Sequence, residues 1–123
     1  MSGSISRGRM AHYGGEAAEQ QIARDYERRG YVVACRRWRG AGGEIDLIAR
    51  NGDEIVFVEV KKSRTRQGAA ERINRRQIAR IQASAQEFLE GEPMGQLTPM
   101  RFDVALVDAN GVFEIVENAF GHD

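Results

Sequence analysis

Three side chains in the middle of the chain have the types and spacing that metal-assisted hydrolysis needs: Asp46, Glu59 and Lys61. They stand in two β-rich runs, Gly43-Glu44-Ile45-Asp46-Leu47-Ile48-Ala49-Arg50 and Glu54-Ile55-Val56-Phe57-Val58-Glu59-Val60-Lys61-Lys62, on either side of Asn51-Gly52-Asp53. An Asn-Gly pair between two such runs predicts a β-hairpin. Side chains alternate across a strand, so Ile45, Leu47 and Ala49 are expected on one face and Glu44, Asp46 and Ile48 on the other. In the second strand Val56, Val58 and Val60 oppose Ile55, Phe57, Glu59 and Lys61. With Asn51-Gly52 at the centre of the turn, Asp46 faces Phe57 and Glu59 lies on the diagonal, about 7–8 Å away. With Gly52-Asp53 central, Asp46 faces Glu59 directly at about 5 Å. In both registers Asp46, Glu59 and Lys61 share one face.

Two carboxylates this close repel unless something positive sits between them. A hard cation such as Mg²⁺ suits two carboxylates, waters and a substrate phosphate. Lys61 points the same way and can orient or deprotonate a water. A Glu and a Lys on a surface strand are a common accident. Here they continue Ile55-Val56-Phe57-Val58, which reads as a central strand covered on both faces, where unpartnered charge is rare.

Asp46, a gap, then Glu59-Val60-Lys61 resembles the pattern of the PD-(D/E)xK nucleases. Gly-Glu-Ile-Asp-Leu-Ile-Ala followed by Val-Phe-Val-Glu-Val-Lys resembles more specifically the YraN family of small bacterial proteins, also called UPF0102. Its members are expected to share an endonuclease-like fold with archaeal Holliday-junction resolvases. The likeness runs from Gly14-Gly15-Glu16 to Arg101-Phe102-Asp103-Val104. It implies a restriction-endonuclease-like fold and a DNA endonuclease using Mg²⁺ or Mn²⁺. Asp46, Glu59 and the carbonyl of Val60 would hold the metal, with Lys61 acting on the water or the transition state. In resolvase-like nucleases an acid of the first helix completes the metal site, and Gly14-Gly15-Glu16 is the matching position. That role therefore passes to Glu16, with Glu19, one turn further along, as substitute. Resolvase-like relatives act as dimers on branched DNA, so branched DNA and a homodimer are the implied partners. The alternative is a nucleic-acid-binding module with this fold and little turnover until a partner such as a helicase engages it.

The elements that must position these groups follow from periodicity. Residues 14–29 predict a helix, with Ala18, Ile22 and Tyr26 as its apolar stripe and Gly30 as its stop. Tyr31 to Arg39 predicts a strand, in which Cys35 reads as a buried residue and Trp38 as a half-buried one under arginine stems. Gly40-Ala41-Gly42-Gly43 reads as a flexible connector, and Ser63 to Gly68 as a mobile polar loop able to close over nucleic acid. One long helix is expected over 69–90, buried through Ile73, Ile78, Ile81, Ala85, Phe88 and Leu89. Strands at 100–107 and 112–116 flank a turn at Asp108-Ala109-Asn110-Gly111. Asp103 has Arg101 on its own face, a structural pair. The order α-β-β-β-α-β-β predicts a three-layer α/β/α fold with a mixed central sheet. The expected organisation is a flexible tail over 1–13, one domain over 14–118 and a frayed end over 119–123.

Charge adds a direction. The formal net charge is zero, but residues 61–80 hold eight basic side chains against Glu71 alone, whereas 81–123 hold eight acids against Arg101. Segregation of this kind predicts an electropositive face, the footprint of a phosphodiester substrate. Sixteen of the eighteen basic residues are arginine, whose fork suits phosphate. Lys62, Arg64, Arg66, Arg72, Arg75 and Arg76 are the candidate contacts, and Gln77 joins them because some related nucleases use a polar residue of this helix. The lone Cys35 excludes an internal disulfide and a cysteine zinc cluster. No apolar run is long enough to span a membrane, and Met1 to Arg9 is no secretory signal. A cytoplasmic location is expected, with no membrane partner.

Overall fold

The computed structural model describes residues 3–120, with side chains from Glu16 onward. The elements are α1 (Gly3–Arg28), β1 (Val32–Gly40), β2 (Gly43–Asn51), β3 (Glu54–Lys62), α2 (Arg66–Glu71), α3 (Arg75–Leu89), a 3-10 turn at Gly95–Leu97, β4 (Met100–Val107) and β5 (Phe113–Val116). The five strands form one sheet in chain order. β3 and β4 pair in parallel, and every other pair is antiparallel. The parallel step needs a crossover, which α2 and α3 supply.

Each face of the sheet is closed by a helix whose apolar stripe has the matching period. On one face Ala18, Ile22 and Tyr26 of α1 pack on Leu47, Ala49, Val56, Val58, Ala105 and Val107. On the other, Ile81, Ala85 and Leu89 of α3 pack on Ile45, Ile48, Ile55, Phe57 and Phe102. The result is a three-layer α/β/α domain with a mixed sheet, of restriction-endonuclease-like form. β3 lies at its centre, with Ile55 to Glu59 all buried. Tyr26 is fully buried, and its hydroxyl donates to Asp103 Oδ2 at 2.7 Å. Arg101 donates to both oxygens of Asp103, at 2.9 and 3.2 Å, and the Asn118 N–H donates at 3.0 Å. Asp103 is thus a satisfied structural carboxylate that ties α1, β4 and the C-terminal turn together.

Several local expectations change. α1 begins at Gly3, ahead of the start expected at residue 14 and within the stretch expected as a tail. The single helix over 69–90 is two helices. Asn74 takes an extended conformation, and its side chain accepts from the Gln77 N–H, capping α3. An Asn at this position competes with helical backbone bonding and so starts a helix better than it continues one. The loop over 63–68 is likewise shortened, because Thr65 caps α2 by accepting from the Gly68 N–H. The glycine connector is held rather than free. Ser84 Oγ donates to the Gly43 carbonyl at 2.8 Å, and the Ala41 N–H donates to Glu87 Oε1 at 2.7 Å. A Cβ on Gly42 would stand 2.6 Å from the Arg80 carbonyl oxygen, so glycine serves close approach to α3 here. The end expected as frayed is tied down as far as Phe120. The Ala119 N–H donates to the Phe102 carbonyl at 2.7 Å, and Phe120 packs on Phe102. Residues 121–123 lie outside the described residues.

Candidate active site

The hairpin takes the register with Gly52-Asp53 central: Asn51 pairs with Glu54, Ala49 with Val56 and Leu47 with Val58. Gly52 sits at φ 62°, where glycine has no Cβ to clash. Continued, this register would set Asp46 opposite Glu59, but the ladder stops at Leu47. Instead the Asp46 carboxylate replaces the next ladder acceptor, with Oδ2 taking the Val60 N–H at 2.8 Å.

The reason is a change of face that alternation alone does not foresee. Leu47 and Ala49 pack against α1, whereas Ile45 packs with Ile48 on the α3 side. Ile45 was expected to share the face of Leu47 and Ala49. The β1–β2 ladder keeps one register through this point, with Arg36 paired to Leu47 and Trp38 to Ile45 and with Arg37 and Asp46 between them; its register shift lies earlier, between Val33 and Cys35. Arg37, across from Asp46, has a left-handed φ of 53°. The distortion frees the Asp46 side chain from a single sheet face and turns it toward β3.

Asp46, Glu59 and Lys61 therefore do meet. Glu59 is buried, and its Oε2 accepts from Lys61 Nζ at 3.0 Å and from Gln77 Nε2 at 2.9 Å. Glu59 Oε1 is buried with no hydrogen-bond partner among the described residues. Burial, with the charge of Glu59 second, pushes the Asp46 carboxyl up from 3.8 to about 7; the Val60 N–H and the Lys61 ammonium pull the other way. Two acids, one orphaned lone-pair oxygen and the Val60 carbonyl make an all-oxygen donor set. Such a set fits Mg²⁺ or Mn²⁺, which bind through one or two carboxylates and keep several waters. Among the described residues no three His, Cys, Asp or Glu side chains already stand close enough to share one ion.

The two candidate acids of the first helix are placed differently. Glu16 is exposed, and its nearest charge partner is Arg37, at 4.0 Å. Glu19 is half-buried, accepts from Arg37 Nε at 3.1 Å, and has its carboxyl pushed up by burial, with the Asp46 charge adding to the rise. The helical wheel explains the difference. At about 100° per residue, Glu19 lies some 60° from Ile22 on the edge of the buried stripe, whereas Glu16 lies about 120° away on the outer side. That calculation was open to sequence reasoning once Ala18 and Ile22 were assigned to the core.

The basic residues divide. Lys62 is half-buried, and its carbonyl accepts from Arg72 Nη1 at 2.9 Å, so Arg72 fastens α2 to β3. Arg66 lies 4.0 Å from Asp108. Arg64, Arg75, Arg76 and Arg80 are exposed and form no ion pair among the described residues. Gln77, expected among the nucleic-acid contacts, turns inward to Glu59. Beside it a cavity of about 250 Å³ is lined by Gly42, Gly43, Glu44, Asn74, Gln77 and Arg80. Trp38 lies edge-on to Phe88, with ring centroids 5.4 Å apart, as a packing residue.

A mixed sheet covered on both faces, with two acids and a lysine where its central strands part, defines a restriction-endonuclease-like α/β/α domain. The chain belongs to the uncharacterised protein family UPF0102, whose profile matches residues 18–107. It is 65% identical over 122 residues to a UPF0102 protein of Ruegeria pomeroyi, covering 99% of each chain. A UPF0102 protein of Cereibacter sphaeroides is 60% identical over 113 residues, 92% of this chain and 97% of the relative. One from Roseobacter denitrificans is 53% identical over 115 residues, 94% and 89% of the two chains. Among the described residues, no helix is long and apolar enough to cross a membrane.

Proposed function

We propose that this protein is a metal-dependent endonuclease that hydrolyses phosphodiester bonds of DNA. The observation that carries the reading is half-buried Asp46 beside buried Glu59, with Glu59 Oε1 unpartnered among the described residues and Lys61 3.0 Å from Oε2. Folding an aspartate into a site that holds its proton to about 7 is unfavourable, and an arrangement of that kind points to function. Mg²⁺ or Mn²⁺ held by Asp46, Glu59 and the Val60 carbonyl would supply a more acidic bound water and charge stabilisation on the phosphate. Glu19, rather than Glu16, is the acid that α1 contributes. Lys61 uses one of its three N–H groups on Glu59, and the other two serve the attacking water or the phosphate oxygens. Gln77 also donates to Glu59 Oε2, at 2.9 Å, and so helps fix the carboxylate's orientation. Arg64, Arg75, Arg76 and Arg80 track the DNA backbone. Contacts of this kind select shape over sequence, which suits branched DNA bound by a homodimer.

The test is cleavage of labelled four-way, flap, single-stranded and linear duplex DNA with Mg²⁺ or Mn²⁺, with wild type and Asp46→Asn, Glu59→Gln and Lys61→Ala prepared side by side. Cutting by wild type with loss in all three variants is expected. Equal cutting by wild type and variants sinks the assignment. One observation favours the second reading, a binding module that needs a partner such as a helicase: no three acids already share one ion position among the described residues. That reading predicts salt-dependent DNA binding by every variant and no cutting by any of them alone.

A further inference from the structure

Arg37 is out of place by every local rule. It adopts φ 53°, a left-handed conformation in which the Cβ crowds the following carbonyl and which Gly and Asn tolerate best. The other non-glycine residue at positive φ among the described residues, Asn118 at 52°, is of that tolerant type. Arg37 and Asp46 lie between the pairs Arg36–Leu47 and Trp38–Ile45, where Ile45 and Leu47 of β2 pack on opposite sides of the sheet. Its guanidinium is half-exposed, yet it reaches Glu19 at 3.1 Å and Glu16 at 4.0 Å. The neighbouring arginines of β1 do otherwise: Arg39 meets Glu44 at 3.4 Å, and Arg36 is exposed with no ion pair among the described residues. A strained residue whose side chain lands on a functional acid points from outlier to role.

Resting on the metal-nuclease reading, we propose that Arg37 is a built-in counter-ion that competes with the divalent metal for Glu19. In the metal-free protein the guanidinium neutralises Glu19 and keeps it from joining Asp46 and Glu59 around one ion. A metal entering between Asp46 and Glu59 recruits Glu19 only by displacing Arg37. The αL kink aims the side chain at α1, and a residue without charge at this position leaves Glu19 free for the metal. Arg37 acts through Glu19 and is therefore a positioning residue.

The experiment is calorimetric titration of the metal-free protein with Mn²⁺, which needs no turnover. Arg37→Asn keeps a residue that tolerates αL and removes the charge. It is expected to bind Mn²⁺ about three- to tenfold more tightly than wild type, with a urea midpoint equal or higher because the backbone strain is relieved. Glu19→Gln is expected to bind Mn²⁺ more weakly, and adding Arg37→Asn to it should change nothing further. Such non-additivity is the signature of a shared partner, which a merely structural arginine would not produce. If wild type binds Mn²⁺, Asp46→Asn does not, and Arg37→Asn binds as wild type does, the counter-ion proposal fails while the metal site stands. If neither wild type nor Arg37→Asn binds Mn²⁺, the metal reading fails and this proposal with it.

Discussion

Replacing Asp46 by Asn should stabilise the metal-free protein, and should do so increasingly as pH rises from about 4 to about 7. Burial, reinforced by Glu59, moves that carboxyl from 3.8 to about 7. A carboxyl raised in the native state makes its full contribution to stability below its unfolded value, where both states are protonated. That contribution is lost progressively as pH climbs from about 4 to about 7, and it is absent above that. At about 1.36 kcal/mol per tenfold, the wild type gives up at most about 4 kcal/mol across this range, about 2.7 of it between pH 5 and the native value. The site is partly wetted, so about 2 kcal/mol of that second figure is expected. The amide keeps the shape, and its carbonyl still accepts the Val60 N–H, at a cost of about 1 kcal/mol for the lost charge on that bond. Urea unfolding in chelator at pH 5 and pH 8 reads the difference. The midpoint of Asp46→Asn relative to wild type should move up by about 1 M between the two, for a slope of about 2 kcal/mol/M. Metal should then reverse the order. Mn²⁺ at a hundredfold excess over its dissociation constant adds about 2.7 kcal/mol to wild type and little to the variant. A midpoint difference that does not change with pH, or a variant less stable than wild type at pH 8 without metal, would refute the account of a buried charge held for a cation.

Metal affinity itself should depend on pH, because the ion displaces the proton that the Asp46–Glu59 site retains. Mn²⁺ titrations from pH 5.5 to 8.5 should show affinity rising by up to about tenfold per pH step and levelling near the Asp46 value of about 7; a flat profile counts against Asp46 as a ligand. Tyr26→Phe removes the donor at 2.7 Å from a fully buried carboxylate without opening a large cavity. It should cost about 1–3 kcal/mol, seen as a melting temperature lower by roughly 4–8 °C per kcal/mol. DNA cleavage measured well below that melting temperature should be unchanged, since Asp103 is satisfied by Arg101 and Asn118 and belongs to the scaffold.

The chain's order of residues by itself determined the hairpin, the layers and the shared face of Glu59 and Lys61. Alternation over Glu54–Lys62 puts Glu59 and Lys61 on one side of a strand through covalent geometry alone, and that much survives any tertiary arrangement. The apolar stripe Ala18, Ile22 and Tyr26 and the strand at Met100–Val107 are equally local signals. The break before α3 was legible in principle, since Asn74 and Thr65 are capping residues, but the apolar spacing through Ile73 and Ile78 outweighed them. Tertiary structure decided the rest of the site. Period-two alternation assumes a regular strand, and the change of face between Ile45 and Leu47, with Arg37 at positive φ across from it, arises only when β1 and β2 are packed onto two helices at once. Which acid of α1 approaches depends on the rotation at which the helix docks, set by packing against Leu47, Ala49 and Val58 rather than by any motif around Glu16. Gln77 turns inward for the same reason: the α3 cap fixes where its first turn begins, and the sheet fixes how close that turn lies to Glu59. Even the proton held on Asp46 is a tertiary property, because a carboxyl's affinity for a proton follows its exclusion from water, and that exists only once both layers have closed.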